Sequence, residues 1–507
     1  MTAESSQLGV VAAGHPLSAR AGADALLEGG NAVDAALGAM LASFACEPLL
    51  TGLGAGGYML VVAPGQAPTL LDFFVEAPGR GIPPTSPSER SELIPVPVSF
   101  GDAVQMFHVG EASVGTFGMP AGVCEAARRF GRLPLERLVA PAAQLAREGV
   151  PLNRQQAYIV EILGAIVTST PEAAALFAPD GRILRAGDRL RQPELGDALE
   201  RLGSDGARPF YEGDIAAAIV DWLAARGGLV TGADLRAYEV VDREPVRARY
   251  RGREVLTNPP PSAGGILIAR ALAMLDGVPG PPAPPSVVQL VEVMETTQKE
   301  RTPEFLAGLS DPEFVRGFLA RPVGRLGSTT HIAALDRDGW ACSVTCSNGS
   351  ASGVVVPGTG VHLNNMLGEQ DLNPLGFHRH PPGRRLPSMM SPTIVLRDEA
   401  AQLAVGSAGS NRIRSAVLQT IIRSIDEGLE AQAAVEAPRV HFEDDMVYTE
   451  PGIDVGALEA AGRSVSPFRD LNLFFGGAQA AALDGDGRFS GGGDPRRGGA
   501  AIVVEAA

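Results

Sequence analysis

Thr329 and Thr330 stand about two thirds of the way along the chain and open the run HIAALDRDGWACSVTCSNGSASG. Two apolar stretches meet there at Asp336-Arg337-Asp338-Gly339. Asp-Gly between such stretches is a strong hairpin signal. A two-residue loop sets Thr329 opposite residues near Cys346 to Asn348. Side chains alternate along a strand, so Ser343, Thr345 and Ser347 share a face. The hairpin thus gathers hydroxyls around Thr329. A hydroxyl is a weak nucleophile until a base sits beside it. No Ser-His-Asp motif supplies one here. An N-terminal threonine carries its own base, an α-amine that titrates at roughly 7.7–8.0. That chemistry requires the chain to be cut between Ser328 and Thr329. Taken alone, a hydroxyl-rich strand pair is ordinarily a half-buried sheet, so the rest of the chain has to decide.

The 507 residues carry a net charge of −16, with 45% hydrophobic and 5% aromatic residues. This is a globular composition with room for a large core or two domains. The acidic balance argues against nucleic acid or an anionic membrane as the main partner. Cys46, Cys124, Cys342 and Cys346 form neither a zinc pattern nor a disulfide framework, and buried thiols are expected. The N-terminus lacks a charged segment followed by a long apolar one, which predicts a cytoplasmic protein. The Ala-rich run near Ala35 to Cys46, stopped by Glu47-Pro48, reads as a buried helix.

Taken in order, the chain predicts a strand at Gly9–Ala13 and a helix capped by Ser18 and closed by Gly29-Gly30. A second helix is capped by Asn31. TGLGAGGYMLVV lacks the Lys-Ser/Thr of a phosphate loop and the acidic residue of a dinucleotide site, so its glycines predict close backbone approach beside a strand. Residues 82–98 read as a Pro- and Ser-rich loop, residues 152–235 as mainly helical with Thr231 as a cap, and 287–320 as helical. AVGSAGSNRIRSAVLQ reads as strand, glycine turn and helix, which points backbone N–H groups at an anion or oxyanion. His378 and His380, in HRHPP, read as a surface loop. No metal cluster or cofactor motif is visible, and no interdomain linker. The pattern predicts an α+β chain, sheet packed on sheet with helices outside.

These segments also carry a resemblance. AGHPLSARAGADALLEGGNAVDAAL, GLGAGGYM, MPAGVCEAARRFGRLP, FYEGDIAAAI, NPPPSAGG, STTH, HLNN, SMMSPTIV, GSAGSNRI and GDPRR follow one another as in the γ-glutamyltransferase family of N-terminal nucleophile hydrolases. The resemblance implies a four-layer αββα sandwich cut into a large segment, 1–328, and a small one, 329–507, that share one fold. It implies an acyl-enzyme on Thr329, a small-molecule amide as substrate, and water or an amine as acceptor. Thr329 matches the nucleophile, Ser347 the hydroxyl that bonds to it, and Thr345 a neighbour on the same face. Gly409 and Ser410 match the paired glycines of the oxyanion hole, and Ser388 one of two substrate-binding serines.

The departures fall in the pocket for the glutamyl head group. Phe74 stands at the carboxylate-binding arginine, Met389 at the second serine, Glu369 at the amine-binding aspartate and Met366 at a neighbouring polar ligand. Three readings follow. The first is an enzyme cleaving γ-glutamyl amides such as glutathione. The second is the same chemistry on another amide, as in the family's acylase-like branches. The third is an uncut, inactive scaffold, against which STTH, Ser347 and GSAGS stand. An arginine elsewhere, such as Arg80, Arg384 or Arg385, is the alternative source of the cation missing at Phe74.

Overall fold

The computed structural model describes residues 6–83, 92–99, 104–277, 283–299, 329–373, 376–409 and 411–506. Ser328, Ser410, part of the 82–98 loop and the helix expected beyond Lys299 lie outside the described residues.

Among the described residues, thirteen strands build two large sheets. They are β1 (Gln7–Ala13), β2 (Gly56–Val62), β3 (Thr69–Phe73), β4 (Val241–Arg243), β5 (Val246–Tyr250), β6 (Arg253–Thr257), β7 (Thr330–Asp336), β8 (Ala341–Ser347), β9 (Thr393–Arg397), β10 (Ala400–Ala408), β11 (Gly477–Leu483), β12 (Phe489–Gly493) and β13 (Ala500–Glu505). The first sheet runs β13-β1-β7-β8-β2-β3-β4, the second β12-β11-β10-β9-β6-β5. Every neighbouring pair in both is antiparallel.

β7 lies against β10 and β11, so the sheets face one another there. Alternation along the strands divides the apolar residues between two layers. Val10, Tyr58, Leu60, Ala333 and Leu335 pack with Val395, Leu403 and Val405 of the second sheet. Val11, Val61, Ile332, Ala334 and Val344 turn the other way, toward α1 (Pro16–Leu27) and α2 (Ala32–Cys46). α2 is buried along its whole length. Asn31 and Asp34 form a capping box at its start, which satisfies the free N–H groups that burial would otherwise strand. α3 (Gly264–Asp276) packs on β5, and α4 (Arg412–Asp426) on β10 and β11.

Three expectations shift. The first helix begins at Pro16 with His15 as its cap, because His15 Nδ1 accepts from Leu17 N and Ser18 is already inside the helix. Within the expected loop, Ile94–Ser99 is a strand paired with Val104–Val109. The hairpin loop between β7 and β8 has three residues, since Asp336 N–H donates to Trp340 O at 3.1 Å. No helix among the described residues is long and apolar enough to cross a membrane.

Candidate active site

That three-residue loop sets the register of the site. β7 and β8 pair Thr330 with Cys346 and His331 with Thr345. Continuing one step back places Thr329 across from Ser347; a two-residue loop would have put Cys346 there and turned the serine away. Residues directly opposite in an antiparallel pair share a face. Thr329 and Ser347 therefore lie on the face that looks at the second sheet. Thr329 is buried, and its Oγ1 has no hydrogen-bond partner. A buried hydroxyl without a partner costs about 1–3 kcal/mol, and such a cost marks a group kept for something other than stability.

Ser347 Oγ accepts from Gly349 N at 2.9 Å. Gly349 has φ +65°, and a Cβ there would stand 2.7 Å from Glu369 Oε1. Glu369 is buried. The fold thus brings its carboxylate to the turn that follows Ser347. Thr345 shares the face but is committed elsewhere. Its Oγ1 bonds to His331 Nδ1 at 2.8 Å, and Ser343 Oγ stands 3.5 Å from His331 Nε2. Gly406 of β10 makes room for this ring, since a Cβ there would lie 2.3 Å from His331 Cε1. Burial pushes the His331 imidazole down to about 3, so it stays neutral. Thr345 holds the hairpin against the second sheet through His331.

Gly409 follows β10 at φ +115°, and Arg412 N–H closes the turn by donating to its carbonyl at 3.1 Å. A Cβ on Gly409 would stand 2.7 Å from Gly476 Cα and 3.1 Å from Arg497 Nη2. Only glycine combines that dihedral with that spacing. Ser410, its expected partner, lies outside the described residues.

Three of the residues standing where head-group ligands were expected, Phe74, Met366 and Met389, are buried and apolar. Phe74 stacks on Tyr58 with ring centroids 5.4 Å apart. Met366 and Met389 are likewise buried. Ser388 Oγ accepts from Met390 N at 3.0 Å. Of the arginines considered as replacements, Arg385 is consumed locally. Its Nε stands 3.2 Å from Asp72 Oδ1, and its Nη1 stands 3.3 Å from Glu76 Oε1 and donates to Phe74 O at 2.8 Å. Its Nη2 donates to Asp72 O at 3.2 Å, and the guanidinium lies over the Tyr238 ring. Arg80 is paired with Glu76 at 3.1 Å. His378 and His380 each bond a backbone carbonyl, Ala112 O at 2.9 Å and Leu372 O at 3.1 Å, and so tie their loop down.

One group escaped the sequence reading. Glu47, taken there as the stop of a buried helix, is itself buried, and its Oε2 accepts from Thr330 Oγ1 at 2.9 Å. Burial pushes its carboxyl up to about 7, against the Thr330 bond and the Arg497 charge. A charged residue at the end of an otherwise apolar run was the available signal.

The chain as a whole is similar to known proteins. The family model described as Gamma-glutamyltranspeptidase matches residues 18–504. The glutathione hydrolase proenzyme of Bacillus subtilis (strain 168) is 31% identical, the match covering 98% of this chain and 91% of that one. The acylase ACY 1 proenzyme of Pseudomonas sp. (strain V22) is also 31% identical, over 95% of this chain and 91% of its own. Among solved structures, cephalosporin acylase from Bacillus halodurans superposes with a TM-score of 0.84 at 27% identity, covering 99% of this chain and 97% of that one.

Proposed function

Because this chain belongs to the γ-glutamyltranspeptidase family, we propose that it is a γ-glutamyltransferase-like amide hydrolase and acyltransferase made as a precursor that cuts itself before Thr329. In the first event the Thr329 hydroxyl adds to the Ser328 carbonyl, the C–N bond breaks, and the nitrogen takes the hydroxyl proton. Water then hydrolyses the ester and leaves segments 1–328 and 329–507 with a free α-amine on Thr329. In turnover that amine accepts the hydroxyl proton while Oγ1 attacks the substrate amide. Ser347 steadies the hydroxyl, and the Gly409 and Ser410 N–H groups receive the oxyanion. The proton passes to the leaving amine, and water or a second amine takes the acyl group. The two facing sheets with helices on their outer faces support a four-layer αββα reading of the fold.

The observation that carries the substrate class is the ion cluster around Arg385. A donor with a free α-carboxylate needs a cation in the pocket, since charge-assisted bonds contribute roughly 1.5–3 kcal/mol each and an unpaired buried carboxylate is costly. Here Phe74, Met366 and Met389 offer none, and Arg385 is already held by Asp72 and Glu76. This supports an amide with an uncharged, apolar acyl group. The similarity to an acylase proenzyme and to a cephalosporin acylase points the same way. The γ-glutamyl reading keeps Glu369 and Ser388 in its favour.

Steady-state kinetics on paired anilides, one γ-glutamyl and one neutral aliphatic, decide between them. A kcat/KM at least tenfold higher for the neutral substrate is expected. A micromolar KM for glutathione would return the chain to the γ-glutamyl readings. Thr329→Ala is expected to stay one chain and to be inactive, read by intact mass and by the same anilide assay.

A further inference from the structure

Glu47 stands beside the nucleophile with half of its carboxyl unused. It closes α2 as the C-cap residue, where the helix dipole disfavours a negative charge. Its Oε2 takes the Thr330 hydroxyl, while its Oε1 is buried and has no hydrogen-bond partner. Gly14, at the end of β1, lets the carboxyl come close, since a Cβ there would lie 2.3 Å from Oε2.

The backbone of β7 gives the unused oxygen a partner. N–H groups along an antiparallel strand alternate between its two neighbours. Asp336 N–H points toward β8 and meets Trp340 O, and Arg337 N–H points the other way, to Leu8 O of β1. Counting back in steps of two, Thr330 directs its N–H toward β8 and Thr329 directs its nitrogen toward β1. That is the side on which Gly14 abuts Glu47. The nitrogen of Thr329 and the free carboxyl oxygen thus belong to the same corner of the sheet, one residue from the Thr330 tether.

We propose that Glu47 is a positioning residue for the α-amine of Thr329, its Oε1 accepting an N–H from that nitrogen and turning the lone pair toward Thr329 Oγ1. The inference rests on the reading of Thr329 as the new N-terminus. No bond to Glu47 forms or breaks. The amine still receives the hydroxyl proton and returns it to the leaving group. Glu47 and the amine titrate as a pair, because two groups in contact share their protonation. The other groups facing the carboxyl are Arg497, Cys46, Cys346 and, next to Gly14, His15. Burial raises both thiols, Cys346 to about 12, and lowers His15 to about 4, so all three stay neutral near pH 7. Arg497 is the one cation among these groups, and its Nη2 also abuts Gly409.

The test is Glu47→Gln, which keeps size and an acceptor for Thr330 but loses the charge. N-terminal sequencing of the small chain comes first: if the wild-type small chain does not begin at Thr329, the underlying reading fails, whatever Glu47 does. With that start confirmed, the cut Glu47→Gln enzyme is expected to lose at least tenfold in kcat with KM within about twofold. The acid limb of its kcat/KM profile is expected to move to lower pH, because a carboxylate no longer holds the proton on the amine. Glu47→Asp is expected to restore the position of the limb and part of the rate. A cut Glu47→Gln enzyme with the wild-type rate, or with a lowered rate and an unmoved limb, overturns the proposal. If Glu47→Gln fails to fold or to cut, Thr330→Val removes the tether at constant charge. A displaced acid limb in that variant supports the proposal, and an unmoved one overturns it.

Discussion

At the scale of single residues, the positions that the resemblance assigns to head-group recognition are filled by packing. Phe74 stands where the family resemblance puts an arginine, and it is not idle there. It stacks on Tyr58 in the core between the sheets. Asp72 and Glu76, the nearby acids, are already matched: Asp72 by Arg243 at 2.7 Å and Arg385, Glu76 by Arg80 and Arg385. A new arginine at 74 would therefore arrive without a partner until a carboxylate substrate supplied one. Phe74→Arg with Met389→Ser is expected to raise the preference for a γ-glutamyl anilide over a neutral one roughly 10- to 100-fold, the worth of about one charge-assisted bond. The same variant is expected to lose about 3–5 kcal/mol of stability from the missing ring and the buried cation. Kinetics on both anilides and a urea melt measure the two effects separately. An unchanged preference in folded protein would mean that position 74 does not face the acyl group.

At the scale of elements, the glycine turn after β10 is the part of the site most sensitive to a small change. Gly409 sits at φ +115° with Gly476 packed against it. Gly409→Ala forces either the dihedral or the Gly476 contact to give, and both would move the N–H groups proposed to receive the oxyanion. Loss of such a donor costs about 2.7–4 kcal/mol of barrier, or 10²–10³ in kcat. That loss is expected with KM little changed and with cutting at the same bond, and single-turnover acylation reads it. Much of this scale was legible in advance. The Asn31 cap, the Thr231 cap and the strand–turn–helix around Gly409 follow from local chemistry, and the hydroxyl face of β8 follows from alternation alone. The 94–109 ribbon was hidden because IPVPVS reads as a proline loop. Val96 and Val98 alternate inward as strand residues do, while the prolines occupy the exposed positions of a two-stranded ribbon, where a missing N–H is tolerated. Glu47 was hidden for a different reason. Its partner Thr330 is 283 positions away, and only the folded sheet brings the two together. The fate of Arg385 was equally out of reach, since Asp72 and Glu76, which claim it, stand more than 300 positions earlier in the chain.

At the scale of the whole molecule, the same burial that keeps His331 neutral recurs. Burial lowers His15, His362 and His441 to about 4 and His331 to about 3, from an ordinary 6.5. The unfolded chain protonates these four as pH drops through 6.5, and the folded chain does not until far lower. Their stabilising contribution is thus full above 6.5 and is lost as pH falls toward 4. Glu47 works the other way: raised from 4.5 to about 7, it binds its proton more tightly when folded, so its contribution is largest below 4.5 and is gone above 7. Burial lowers His380 in the same direction and raises Glu76 and Asp336 in the direction of Glu47. Between pH 6 and 5 the histidines take up more protons on unfolding than Glu47 releases, so their balance lowers stability on acidification. Net charge argues in the opposite direction. The chain carries −16 at pH 7 and approaches neutrality near its pI of about 5.0, so relief of self-repulsion alone would make it more stable on acidification. The two effects predict opposite signs, and the buried histidines should prevail because desolvation inside the sheets is not screened, whereas surface charge is. Urea unfolding of the uncut Thr329→Ala chain at pH 7, 6 and 5 is expected to show the midpoint falling at each step. A midpoint that holds level or rises toward pH 5 would mean that these rings reach water in the folded state, and the packing of His331 between Thr345, Ser343 and Gly406 would be the first contact to re-examine.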